Sequence, residues 1–182
     1  MPRLAPLDLG KLTPEQKKVA DAIIAGPRGA LRGPFESWLR RPMLADRAQR
    51  LGEYCRFDNS LPRDLCELAI CLIGRHFKAQ YEFYAHARLA REAGLAADIV
   101  EAIRLRQTPP FSRDVERIVY DFVGEYLATN RVSAANYKRA IDAFGEQGVV
   151  DLVGVCGYYM LVSMTLNVFE VPLPAGVPEP LA

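Results

Sequence analysis

The chain has 182 residues, half of them apolar, with 23 basic and 22 acidic side chains and a formal net charge of +1. That length and apolar share describe one domain with a core of its own, and they exclude intrinsic disorder. The charge balance gives no electrostatic footprint for nucleic acid or a membrane surface, so neither is an expected partner.

Alanine and leucine dominate the apolar set; both form helices well and strands poorly. The fold class expected is therefore all-α, with six to eight helices. All thirteen prolines lie outside residues 63–108 and 111–171, and proline breaks helix interiors, so these two stretches read as helical blocks.

In chain order, Thr13-Pro14-Glu15-Gln16 is a helix start with a capping box, and the helix stops at Gly26-Pro27. Residues 28–35 form a Gly/Pro loop, 36–41 a short helix, and 44–57 a helix carrying Leu44, Ala48, Leu51 and Cys55. Leu65, Leu68, Ala69, Leu72 and Ile73 make an apolar stripe on the next helix. Helices over 79–93 and 96–106 follow, then one from Phe111 through Tyr126. Ser133 caps a helix to about Phe144, and a last helix spans about 148–169. Residues 152–169 carry no charge, but the Gly, Ser, Thr and Asn among them point to a core or interface helix rather than a membrane span. The ends, 1–12 and 172–182, read as irregular, and 1–182 as a single domain with its motif core at 60–106. The start has no signal-peptide layout. Cys55, Cys66, Cys71 and Cys156 form no C-x-x-C pair, so buried, reduced thiols in the cytoplasm are expected.

The chemistry narrows to few residues. There is no nucleophile elbow, phosphate loop or H-E-x-x-H motif, and the only histidines are His76 and His86. Glu82 and His86, four apart, share a helix face; they are either an acid–base pair or an ordinary surface pair. Glu67 lies at the polar margin of an apolar helix, as a solvated edge or as a partly buried carboxylate with a raised pKa. A metal site from Glu67, Glu82, His86 and His76 is not expected. The Glu-to-His spacing is four rather than three, and His76 lies about 280° around a continuous helix from His86.

The run from Ser60 to Leu95, SLPRDLCELAICLIGRHFKAQYEFYAHARLAREAGL, resembles the carboxymuconolactone decarboxylase family and its AhpD-like superfamily. Its E-x11-A-x2-E-x3-H matches the AhpD layout Glu-x11-Cys-x2-Cys-x3-His, and the GYYMLVSMTLNVFEVPLP ending and the flanking GPFESWLRRP and LGEYCRFDNSLP fit an extended subgroup. The resemblance implies an AhpD-like helical bundle that assembles as homo-trimers or hexamers. It implies Glu67 and His86 as proton-relay residues, and it places Ala79 and Glu82 where the thiol branch has its two cysteines. Without those thiolates, AhpD-type peroxide reduction is disfavoured.

The function this implies is a cofactor-free, metal-free decarboxylase or lyase acting on a small carboxylated lactone or a related aromatic-degradation intermediate. Glu67, Glu82 and His86 would be catalytic, and Tyr81 a hydrogen-bond donor. By their chemistry, Arg56, Arg63 and Arg75 are candidates to hold the substrate carboxylate. The alternatives are a peroxide reductase using its cysteines unconventionally and a non-catalytic helical oligomer that binds a small molecule.

Overall fold

The computed structural model describes residues 2–182. Among them are eight α-helices: α1 (Pro14–Ala25), α2 (Phe35–Trp38), α3 (Pro42–Glu53), α4 (Arg63–His76), α5 (Gln80–Glu92), α6 (Ala97–Arg104), α7 (Asp114–Thr129) and α8 (Ala134–Val168). A 3-10 turn at Leu9–Lys11 precedes them, and a π-turn at Tyr54–Asp58 joins α3 to the loop before α4. The all-α expectation holds. The Thr13–Gln16 capping box forms with both of its hydrogen bonds.

The stripe expected on α4 becomes burial on every face. Residues 64–74 are buried without interruption, because α5, α6, α7 and α8 all pack on this helix. A helix enclosed in this way is the centre of a core. Leu65, Leu68, Ile70 and Ile73 are removed almost entirely from water, each stabilising the fold by about 1.5–3 kcal/mol. Asp64 is held within this core by Arg113, which also chelates Glu116.

The two final helices expected from the sequence are both present, one starting at Ala134 and one ending at Val168, with non-helical backbone between them at Gly145 (φ 67°, ψ 178°); α8 names the two together. That conformation is essentially reserved for glycine, and it breaks the helix so that the chain kinks between the two parts. α8 is long and apolar enough to cross a membrane, but 61% of its most apolar window is buried inside the fold. It is a core helix on one side; Val150, Val153, Leu161, Met164 and Val168 remain exposed on the other.

The carboxyl-terminal segment is a strap. Leu181 is buried, and its backbone N–H and C=O both bond the Gln80 side chain, at 2.9 and 2.8 Å. Arg104 Nη1 donates to Pro180 O at 3.2 Å, fastening the strap to α6.

Candidate active site

The site forms where α4 and α5 approach most closely. Gly74 makes this possible: a Cβ at this position would lie 3.3 Å from Glu82 Cγ and 3.4 Å from Phe83 N. Ala79 N–H then bonds Gly74 O at 2.9 Å, and α5 begins one residue later. Glu82 thereby enters the first turn of α5 as a buried side chain, with His86 one turn further on the same face.

His86 does not pair with Glu82. Its Nδ1 lies 2.6 Å from Glu67 Oε2, across from α4. Glu67 is 1% exposed, so it is the buried carboxylate of the two readings rather than the solvated edge. A proton on Nδ1 donates to that carboxylate, which fixes the ring and leaves Nε2 for chemistry. The Tyr159 ring packs edge-on against the imidazole, with centroids 4.8 Å apart, and limits its rotation.

Glu82 is in a different condition. Its Oε1 is buried with no hydrogen-bond partner among the described residues. Burial raises its pKa from 4.5 to about 7; His86 and Arg56 act against that rise and Glu67 adds to it. The first turn of a helix favours a carboxylate by only about 0.3–1 kcal/mol, too little to offset the burial. Glu82 is thus a carboxyl group that exchanges its proton near neutrality, beside an imidazole held by a second carboxylate.

Glu82 and His86 border a cavity of about 430 Å³, within the range of small-molecule sites. Its walls are Tyr81, Tyr158, Tyr159 and Phe35, and its cations include Arg28 and Arg56. Arg56 comes from the π-turn, a one-residue expansion often found at functional sites. Asp151 on α8 pins that turn by accepting from Tyr54 Oη at 2.5 Å, Ser60 N at 2.8 Å and Ser60 Oγ at 2.6 Å. Tyr81 lies against Gly33, whose missing side chain leaves 3.4 Å between an added Cβ and the ring.

Of the seven residues expected at the site, five converge: Glu67, Glu82, His86, Tyr81 and Arg56. Arg63 and Arg75 do not line the cavity. Arg63 is exposed at the first position of α4. Arg75 is eight residues from Glu67, about 80° around the helix, and is close enough to Arg104 and Arg106 for their charges to lower its pKa, after burial. His76 is exposed and stacks on Phe77. No group of three or more His, Cys, Asp or Glu among the described residues converges to hold a metal ion. Sequence reasoning missed Arg28, Tyr158 and Tyr159. The adjacent tyrosines inside an uncharged run were a signal; Arg28, in a Gly/Pro loop, had none.

All four cysteines are free and buried. Burial pushes Cys55 up to about 11 and Cys66 and Cys156 up to about 12, and holds Cys71 well above its ordinary value.

No protein-family model matches the chain, and no curated protein matches it in sequence. Solved structures do match. One is an uncharacterized peroxidase-related protein from Silicibacter sp. TM1040, at TM-score 0.78 and 13% identity over 96% of this chain and 92% of that one. Another, from Ralstonia eutropha JMP134, is described as an alkylhydroperoxidase AhpD core and an uncharacterized peroxidase-related protein. It matches at TM-score 0.78 and 12% identity over 96% of this chain and 93% of that one. The fold is AhpD-like. At such identities the likeness carries the architecture and not the activity.

Proposed function

We propose that the chain is a cofactor-free acid–base enzyme of the decarboxylase or lyase type, acting on a small carboxylated lactone or a related aromatic-degradation intermediate. The observation that carries this reading is the buried Glu67–His86 pair at 2.6 Å beside a Glu82 with a pKa of about 7, all next to an arginine-bearing cavity. On loss of carbon dioxide, the bonding pair passes into the ring and its conjugated carbonyl. Arg56 faces that developing charge. The Glu82 carboxyl delivers the proton to carbon and is reprotonated from water through His86 Nε2, while Glu67 holds the imidazole in register through Nδ1.

A peroxide reductase is the second reading, because the solved neighbours are described as peroxidase-related. Ala79 and Glu82 at the thiol positions, and four thiols held mostly protonated by burial, weigh against it. Reduced thiols also fit a cytoplasmic location, which belongs to the proposal.

The test is carbon dioxide release from carboxymuconolactone. His86→Ala and Glu67→Ala are each expected to lower kcat by about 10²–10⁴-fold. Turnover in the wild type should fall as pH rises through about 7, as Glu82 loses its proton, and Glu82→Gln should abolish that limb. Unchanged turnover in both His86→Ala and Glu67→Ala overturns the reading. Thiol loss proportional to added peroxide favours the reductase.

A further inference from the structure

We infer that Arg28 and the Tyr158 hydroxyl form a recognition seat for the carboxylate of a small planar acid, in the cavity that Glu82 and His86 border. The inference rests on the acid–base reading for where the reaction occurs, and on its own observations for the seat.

Arg28 stands in the loop between α1 and α2 and lines the cavity. Its guanidinium packs 5.0 Å from the Phe35 ring centre and 6.0 Å from that of Phe57. Among the described residues it has no carboxylate within salt-bridge reach, and its buried Nε and Nη2 have no hydrogen-bond partner. Buried donors are rarely left so, because each gives up its bonds to water.

Those two nitrogens form the edge of a guanidinium that presents parallel N–H groups to a carboxylate. The chain itself uses the same edge elsewhere: Arg104 Nε and Nη2 hold the two oxygens of Glu101 at 2.9 and 2.7 Å. At Arg28 no side chain of the protein supplies the acid.

Tyr158 converges on the same place. A Cβ at Gly52 of α3 would lie 2.1 Å from the Tyr158 hydroxyl oxygen and 2.5 Å from Arg28 Nη2. Gly52 is therefore the notch in which the two polar tips meet. Burial raises Tyr158 to about 12; the Arg28 and Arg56 charges oppose that rise and Glu82 adds to it, so the hydroxyl remains a donor at neutral pH. A carboxylate seated between them accepts from both. The flat walls of Phe35, Tyr81, Tyr158 and Tyr159 select a planar body behind that carboxylate. Arg56 is within reach of both groups: its charge acts on Glu82 and on Tyr158.

The probe is benzoate, titrated calorimetrically at pH 6 against wild type, with benzamide and inorganic phosphate as comparison ligands. Wild type is expected to bind benzoate in preference to both. Arg28→Gln, and Arg28→Lys, which keeps the charge but loses the fork, should each weaken benzoate about tenfold or more. Tyr158→Phe should weaken it severalfold, and thermal melts establish that each variant is folded. Glu82→Gln should leave benzoate affinity within about twofold of wild type, so loss of turnover in that variant speaks to the acid–base reading alone. Absence of saturable benzoate binding, equal binding of benzamide, a preference for phosphate, or full affinity in a folded Arg28 variant and in Tyr158→Phe each overturns the seat.

Discussion

A buried carboxyl group with no hydrogen-bond partner for one oxygen makes Glu82 costly as a charge. Its folded pKa of about 7 lies above the ordinary 4.5, so the folded protein holds this proton over a range where the unfolded chain has released it. Stability from Glu82 is thus fully present below about pH 4.5 and is lost as pH rises through about 7. The loss amounts to at most about 3 kcal/mol. Glu82→Gln, neutral at every pH, escapes it. Melting curves at pH 5 and pH 8 should show the variant gaining on wild type at the higher pH, and parallel curves would remove Glu82 as the source. The acidic and imidazole members of the site were legible because helix spacing and a family pattern both marked them. Of the arginines only Arg56 was, because a cation's role depends on which way its side chain turns. Arg75 failed by about 80° of helix rotation, and Arg28 was hidden in a loop whose course depends on Phe35, Phe57 and Gly52.

Helix starts were legible where a cap or a proline marked them, as at Thr13, Pro62 and Ser133, whereas Pro42, expected to lie between helices at 36–41 and 44–57, is the first residue of α3. One feature was not legible. The π-turn at 54–58 continues the period of α3 with one extra residue, and its sequence YCRFD has no signature of its own. The break at Gly145 lies where the sequence marked it, between a helix expected to end near Phe144 and one expected to start near 148, because glycine reaches the non-helical conformation that kinks the chain. This yields a paired test. Gly145→Ala should cost about 1–3 kcal/mol in urea unfolding, since alanine is strained at φ 67°. Gly124→Ala, inside α7 with nothing within 4 Å of an added Cβ, should instead stabilise by about 0.5–1 kcal/mol. Equal effects at the two positions would mean that the bend is not held by the backbone of residue 145.

At the scale of the molecule, the all-α architecture followed from composition and proline placement, but the central position of α4 did not. Glu67 at the margin of its apolar stripe made it look two-sided, and only the partners His86 of Glu67 and Arg113 of Asp64 show how acids enter the core. The reverse holds for α8, whose uncharged run is buried on one side and leaves Val150, Val153, Leu161, Met164 and Val168 in water. These positions recur at three, four and eight residues and so lie along one face. A face without charge offers nothing to a charged partner, and Gly154 and Gly157 beside it leave open space for a second backbone. We propose that a second copy of the chain covers it. Covering the apolar surface that these partly exposed side chains still show to water favours association, against its cost in lost freedom. The assembly that the family resemblance implies is a trimer or hexamer, which would sediment at three or six times the 20.3 kDa chain mass. Val153→Glu with Met164→Glu should return it to 20.3 kDa with its helical circular dichroism intact, because neither side chain supports the core and a buried unpaired carboxylate costs several kcal/mol. A wild-type chain that sediments as a monomer at tens of micromolar would leave that face to water and end the proposal.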